Sequence, residues 1–589
     1  MIKKYYEQFK WFLKYYKRRY IMAFLVMIIV KILMLMPPRI IGKVVDEIVG
    51  NTLTWSTLKF QVLSLIGLIV VIYFADFFWS YNLFRAADEI SYLARDRIFK
   101  QLLKQGPDFY SRYTTGALMA RATSDVNALS DLSAYGMMTA VDSTFWPILL
   151  FAFMLGISWQ LTLASIVPLP FVIFFSKYVG EKLYKRYEEA QVAFEGLNQA
   201  VLEGVSGVRV VRAYNLEDKE SERFKESADY LFKKNMQACL LTQLYSPVAQ
   251  FFPGLAFLIA VGLGVVLITA NKLSIGELTT FLFYLGFFIG PMFAIGQFIN
   301  IGQRGSASME RIDELLNEPV KIDDSLITED LPEEYSVEFR DFCFSYPGSD
   351  SEVLTGIKFS LKAGQTLGIV GPVGSGKSTI VEQLLHFYPL PESKIFLGGK
   401  DLAKIERKKL RSVISYAPQD NFLFSKSIRE NILLGQSNEL SREAAESKLQ
   451  AVIEWADLEK DLAEMPAGLE TEVGEKGIAI SGGQKQRVCI ARTLMEDSEL
   501  LILDDCLSAV DAITEENILS ALRQVRGGRT TLIVAHRLSA VRDADLIIVV
   551  QDGQITNSGS HQELIETSAW YREQYERQQL SEEVSREER

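Results

Sequence analysis

Two short stretches carry residue types suited to phosphate and a divalent cation. Gly371-Pro-Val-Gly-Ser-Gly-Lys-Ser378 has the spacing GxxxxGK[ST] and follows the apolar run Thr366-Leu-Gly-Ile-Val370. Gly371, Gly374 and Gly376 leave room for backbone N–H groups, with that of Ser375, to wrap phosphate oxygens. Lys377 then reaches the terminal phosphates, Ser378 offers a hydroxyl to magnesium, and Thr379 beside it is a further ATP-binding candidate. The second stretch is Leu500-Leu-Ile-Leu-Asp-Asp505, four apolar residues running into two acids. A buried strand that ends in acid beside a phosphate loop is placed to hold magnesium, and Asp504 has that position. Asp505 follows it, as a catalytic base, a weakened one, or only a solvated carboxylate. A nucleoside triphosphate with Mg2+ is the chemistry these residues fit.

A third stretch lies just upstream, Ile480-Ser-Gly-Gly-Gln-Lys-Gln-Arg487. With Ser481, Gly482, Gly483 and Gln484 at this distance before an acid-ended strand, it resembles the signature of the ABC (ATP-binding cassette) ATPases. The resemblance assigns further residues. Tyr346 in Phe344-Ser-Tyr-Pro347 is the adenine-stacking aromatic, and Gln419 in Tyr416-Ala-Pro-Gln419 the Q-loop glutamine, which also faces magnesium. Asp511 in Ser508-Ala-Val-Asp511 closes the D-loop, and His536 in Val534-Ala-His-Arg537 is the switch histidine. ATP and Mg2+ are the cofactors it implies. It also implies two cassettes closing head to tail, so that one chain's ATP meets the other's signature. Ser481 and the two glycines sit at a predicted helix N-terminus, an anion site that needs a second chain's phosphate. The family usually has glutamate after the magnesium aspartate, and Asp505 is one methylene shorter. A carboxylate must reach the water it polarises. Asp505 therefore resembles the slow-site half of bacterial heterodimeric multidrug exporters, with a homodimer as the competing arrangement.

These motifs occupy less than half of 589 residues, which is too long for one core. Mean hydropathy is +0.11 although 23% of residues are charged, a combination of membrane and soluble parts. A formal charge of −11 argues against nucleic acid as a partner. The four cysteines form no CxxC pair and the three histidines lie far apart, which leaves no sequence case for a disulfide framework or a metal cluster. Six stretches of about 20 apolar residues, near 20–41, 61–82, 137–157, 158–178, 246–270 and 277–300, are long enough to cross a bilayer. Residues 1–19 hold seven Lys/Arg interleaved with aromatics, the pattern of an amphipathic helix on the membrane surface. The segment 83–136 holds another seven, whereas 42–60 has only Lys43 and Lys59. Both termini are therefore expected in the cytoplasm. The inner segments 83–136 and 179–245 read as long helices broken at Gly106-Pro107 and between Gly204 and Gly207.

The expected fold is a six-helix transmembrane domain with long cytoplasmic extensions (20–315), a linker (316–334), an α/β P-loop cassette (335–575) and a charged tail (576–589). The resemblance to an exporter-type half-transporter covers nearly the whole chain. It implies ATP-driven export of hydrophobic or amphipathic compounds across a bacterial plasma membrane, beside a second half-transporter, different in kind, and among membrane lipids. A lipid or lipopeptide flippase is the alternative on the same frame, and a regulatory subunit is a third reading. No peptidase domain precedes the spans, which disfavours a processing peptide exporter. Phe109 and Tyr110 at one inner break, and Arg212 and Tyr214 at the other, are the candidates for coupling to a cassette. Charges within spans are costly. Lys31, Asp76 and Asp142 are therefore candidates for a substrate cavity or for pairing with each other.

Overall fold

The computed structural model describes residues 2–321, 328–349, 351–436, 441–474 and 480–587. Side chains are described from Tyr16 to Leu580 except at 172, 173, 176, 177, 244–246, 248, 249 and 293. The expected membrane-surface segment is the first part of the helix Ile2–Leu33, its side chains before Tyr16 are outside the described ones, and the middle of the linker lies outside the described residues. The chain forms two compact units, residues 1–103 with 116–318, and residues 104–115 with 319–589.

In the first unit, five helices among the described residues are long and apolar enough to cross a membrane: Tyr16–Val49, Trp55–Leu102, Thr115–Ile157, Gln250–Thr269 and Ile275–Leu316. The stretch expected as a fourth span runs through Trp159–Ile166 and on into Leu169–Ser206, and its apolar part Trp159–Phe171 is shorter. Ser158, extended between two helices, caps the second by accepting the N–H of Leu161. The first span is broken at Met34-Leu35, ahead of Pro37-Pro38. Two prolines remove the N–H groups that would continue the ladder there.

Beyond that break the first and last spans are joined rung by rung. The Tyr284 hydroxyl donates to the Leu35 carbonyl (2.6 Å) and Thr280 Oγ1 to that of Pro38 (3.2 Å). One turn higher, Gly42 and Gly276 touch, and a Cβ on Gly276 would lie 1.9 Å from the Gly42 carbonyl oxygen. At the top Asp46 accepts the Ser274 hydroxyl (2.6 Å) and the Gly276 N–H (2.7 Å), completing the N-terminus of the last helix. In an apolar medium such polar groups must be satisfied within the protein.

The rod Thr115–Ile157 contains two π turns, Arg121–Asp125 and Val141–Phe145. Each holds an aspartate that reaches another helix. Asp125 accepts Ser308 (2.9 Å) and the Arg311 guanidinium. Asp142 pairs with Lys31 at 2.6 Å. A π turn rotates the side chains after it, and such turns mark functional places in helices. Asp76 takes no part in the Lys31 pair; its carboxylate accepts the Trp79 indole N–H at 2.8 Å.

The second unit is built on two sheets. Strands β1 (Val337–Phe344), β2 (Leu354–Leu361), β4 (Ile395–Leu397) and β5 (Lys400–Asp401) form an antiparallel sheet in the order β2-β1-β4-β5. Strands β3 (Thr366–Val370), β6 (Ile414–Ala417), β7 (Leu500–Asp504), β8 (Thr530–Val534), β9 (Leu546–Gln551) and β10 (Gln554–Gly559) form the other, in the order β10-β9-β3-β8-β7-β6. β9, β3, β8, β7 and β6 are parallel, and β10 is antiparallel at the edge. β3, β7 and β8 read as near-continuous apolar runs because both faces are covered.

Two boundaries differ from the sequence expectation. Residues 328–334 belong to the second unit rather than to a free linker: Glu329 bridges Ile405, and Leu331 packs on the core of the smaller sheet. The charged stretch after 575 is helical through Glu587, as part of Ala569–Glu587. The first turns of that helix are nailed down by Tyr571, which is fully buried, and an Arg577–Glu573 pair (2.8 Å) supports the exposed face.

Gly276→Ala should part the first and last spans and lower the thermal midpoint of the detergent-extracted protein by several degrees. Gly290→Ala, in the same helix with open space around its Cβ, should leave it unchanged or higher. Equal midpoints for the two variants would contradict the close contact.

Candidate nucleotide-hydrolysing site

The loops that carry the candidate residues all leave the parallel sheet at one edge. Gly371 follows β3, Gln419 follows β6, Asp504 ends β7 and His536 follows β8. The carboxyl ends of parallel strands are where an open α/β sheet binds its ligand. The glycines of the loop are required by contact as well as by conformation. A Cβ on Gly371 would lie 2.0 Å from the Val550 carbonyl oxygen, and one on Gly376 (φ +95°) 2.8 Å from Leu354 Cδ2. Gly374 has φ +82°.

Asp504 is 1% exposed and both its oxygens are held. Ser378 Oγ donates to Oδ1 (2.8 Å) and the Tyr416 hydroxyl to Oδ2 (3.3 Å). Burial pushes the Asp504 carboxyl above the usual carboxylate range. The donor set fits Mg2+, which takes hard oxygen ligands: Ser378 and Asp504 would hold it, and it would neutralise charge developing on the phosphates. Lys377, 6% exposed, turns its ammonium onto the carbonyls of Gly371 (2.9 Å) and Pro372 (2.7 Å). Burial lowers Lys377 from its ordinary value, and the carboxylates of Asp505 and Asp504 work in the other direction.

Asp505 has φ +46°, in the left-handed region, with its N–H on the Val534 carbonyl (2.9 Å). That turn brings its carboxylate beside Lys377 and His536, which it perturbs electrostatically. Burial and the neighbouring Lys377 lower His536 below its ordinary value, and the Asp505 carboxylate works in the other direction. Behind Asp505 lies a cavity of about 170 Å3 lined by Cys506, Glu515, His536 and Arg537 among others.

The remaining sequence-assigned residues fall into four places. Tyr346 is half-buried, edge-on to Phe344 (5.1 Å) and Tyr388 (5.5 Å), with its hydroxyl on Thr379 Oγ1 (2.8 Å). Ser481 caps the helix Gly482–Met495 in a reciprocal box with Gln484 (2.9 and 3.3 Å), and Ser481 and Gly482 are exposed. Gln419 is exposed past β6, and the described hydrogen bonds do not join its side chain to Asp504. Asp511 caps the next helix through the N–H groups of Ile513 (3.1 Å) and Thr514 (3.2 Å).

Several residues join these places and escaped sequence reading. Gln486, 4% exposed on the signature helix, accepts the Ala509 N–H (2.8 Å) and donates to Ser508 Oγ (3.2 Å), tying that helix to the D-loop. Glu515 is 2% exposed and accepts Arg537 (2.6 Å) and Ser539 (2.8 Å). Arg537 also donates to the Val510 carbonyl (3.0 Å), so the D-loop and the segment after β8 share one ion pair. Glu382, whose carboxyl burial and Asp504 push up, lies close to Tyr346. The one sequence signal among them is the placement of Glu515 four residues after Asp511, a helical neighbour.

In the first unit, Arg212 and Tyr214 sit on and just after the short helix Val208–Ala213, of which no residue is buried; Tyr214 is 73% exposed. In the second unit, the helix Pro107–Arg112 carries Phe109, fully buried against Tyr110 and Tyr113, and Asp108, paired with Lys321 at 2.7 Å.

Comparison with known proteins covers both units. Residues 20–292 match the family described as ABC transporter transmembrane region, and residues 354–508 the family described as ABC transporter. The chain is 44% identical over 571 residues to "Probable multidrug resistance ABC transporter ATP-binding/permease protein YheI" of Bacillus subtilis, covering 97% of each. It is 38% identical to "Multidrug resistance-like ATP-binding protein MdlA" of Escherichia coli, covering 98% of this chain and 97% of the relative. It is 32% identical to the "ATP-dependent lipid A-core flippase" of Aromatoleum aromaticum over 84% of its length and 81% of the relative's. A solved structure, "Structure of a bacterial Atm1-family ABC exporter with ATP bound", superimposes with a TM-score of 0.73 at 26% identity, covering 95% of this chain and 98% of that one.

Arg537→Met should strand the buried Glu515 carboxylate. Glu515 is buried while the Arg537 side chain is 42% exposed, so water can offset part of the loss and the thermal midpoint should fall by a few degrees. The double variant Arg537→Met with Glu515→Gln should recover much of that loss, and no recovery would mean that the pair is not what holds the segment.

Proposed function

Since the chain belongs to the ABC transporters, as an exporter-type membrane region followed by an ATP-hydrolysing cassette, we propose that it is one half of a heterodimeric exporter of hydrophobic or amphipathic compounds. The observation that carries the reading is Asp505. It lines one cavity with His536 and is near enough to Lys377 and His536 to act on both electrostatically, on a side chain one methylene short of the family's usual glutamate. Loss of about 1 Å of alignment can lower a rate on the order of 100-fold. The exposed Ser481-Gly482 helix start serves a partner's ATP, and the partner's signature serves this chain's Tyr346, Lys377 and Asp504.

Transport of amphipathic compounds is supported by a cavity of about 470 Å3 in the membrane unit, lined by Lys31, Met34, Pro37, Trp146, Phe283 and Phe287 among others. It is mainly apolar with one charged end, where Lys31 meets Asp142 and lies 5.3 Å from the Trp146 ring. The relatives named for multidrug resistance fit this reading, and the relative named as a lipid A-core flippase supports the lipid-moving alternative. Phe109 and Tyr110 act as the coupling contact within the cassette unit, and Arg212 and Tyr214 as the contact offered to the partner.

Asp505→Glu should raise ATP turnover of the assembled transporter while the partner's own glutamate is disabled; an unchanged rate there rejects the weakened-base reading. Native mass spectrometry of the chain extracted from its host membrane should find a complex with a second, different half-transporter. A complex of twice this chain's mass would instead make Asp505 the base of both sites.

A further inference from the structure

We propose that Gln578, on the C-terminal helix Ala569–Glu587, is a positioning residue that fixes His536, so that this helix is a working part of the hydrolysis site. The inference rests on the reading of His536 given above. β8 is held in the sheet through Val534, and the Ala535 N–H still reaches the Ile369 carbonyl (3.1 Å). His536 is the first residue past that support, and regular structure resumes only at the turn Leu538–Val541. Backbone groups at such a place need partners from elsewhere.

Gln578 supplies both. Its Nε2 donates to the His536 carbonyl (3.0 Å), and its Oε1 accepts the Leu538 N–H (2.8 Å). A primary amide has one donor side and one acceptor side. Set against the two peptides that flank Arg537, whose own backbone is extended (φ −91°, ψ 127°), it makes the two bonds that a neighbouring strand would make. Arg537, between them, points its guanidinium to Val510 and Glu515. The two peptides that follow the His536 Cα, on either side of the Arg537 Cα, are thus pinned to the C-terminal helix, and the Arg537 side chain is held by Val510 and Glu515. With the Ala535 N–H on β3 ahead of it, the His536 backbone is held on both sides, and that limits where its imidazole can point.

The helix is a firm support. Tyr571 is fully buried and its hydroxyl meets His561 Nδ1 (2.8 Å), while Trp570 and Tyr575 pack on the main core of the unit. Gln578 lies seven residues beyond Tyr571, on the same helical face.

Gln578→Met keeps the length of the side chain and removes both bonds, and the test uses the full-length assembled transporter. Backbone amide exchange of residues 535–541 should quicken roughly fivefold, with the loop 371–378 unchanged. With the partner's own glutamate disabled, so that turnover reads this chain's site, ATPase kcat should fall by between about 10-fold and 100-fold with KM for MgATP within about twofold. In a His536→Ala background Gln578→Met should cause no further loss, since a residue acting through His536 has nothing left to act on. Unchanged exchange and kcat in Gln578→Met, or losses that add to those of His536→Ala, would reduce Gln578 to a docking contact. If His536→Ala leaves ATPase intact while Gln578→Met still loosens 535–541, the tie stands and the reading of His536 fails instead.

Discussion

One buried charge organises the nucleotide-binding unit. Asp504 ends the strand β7 between β6 and β8, 1% exposed, and an ionised carboxylate in that place is tolerable only with partners on both oxygens. Ser378 comes to it from the phosphate loop and Tyr416 from the neighbouring strand. Those two bonds fix where the loop after β3 stands relative to β6 and β7. A phosphate and its metal therefore meet a site whose ligands are already brought together, with Lys377 resting on carbonyls it can leave.

The membrane unit solves a related problem with hydrogen bonds instead of charge. Apolar spans have no hydrophobic drive to associate within lipid, so close packing and polar contacts decide which helices travel together. Between the first and last spans, Tyr284, Thr280, Gly276 and Ser274 each meet a group of the other helix in order. The rod Thr115–Ile157 is attached differently, by an aspartate in each of its π turns, Asp142 to Lys31 and Asp125 to Arg311. The rod also packs along the last span, with Leu132 against Gly305 and with Trp146, Leu150 and Met154 in one core with Phe281 and Tyr284.

Much of the chemistry could be read from the chain, because the phosphate loop, the acid-ended strand and the capped signature helix are local patterns. Gly371 and Gly376 had to be glycine for reasons the structure states in ångströms, and the motif records the same constraint as spacing. What could not be read was lateral. Tyr416, Gln486, Glu515 and Gln578 act across elements far apart in sequence, and each alone looks like an ordinary polar residue. The charged stretch after 575 looked like a free tail because its apolar anchors, Trp570, Tyr571 and Tyr575, lie upstream of it. The π turns left no periodicity signal either, since one extra residue in a turn barely disturbs an apolar pattern. The sequence favours Lys31 and Asp76 as a pair, with Asp142 interfacial near a span end, but it is Asp142, in the π turn Val141–Phe145, that faces the lysine.

The left-handed backbone at Asp505 has a consequence for how this chain can change over generations. Aspartate and asparagine accept φ near +46° more readily than longer side chains do, because a short polar group can bond locally. The short carboxylate thus suits the turn it stands in, and a glutamate there would trade backbone ease for reach. Thermal robustness and turnover then pull on one codon in opposite directions. A chain relieved of much of the hydrolysis by a faster neighbour would be free to drift toward the more comfortable residue.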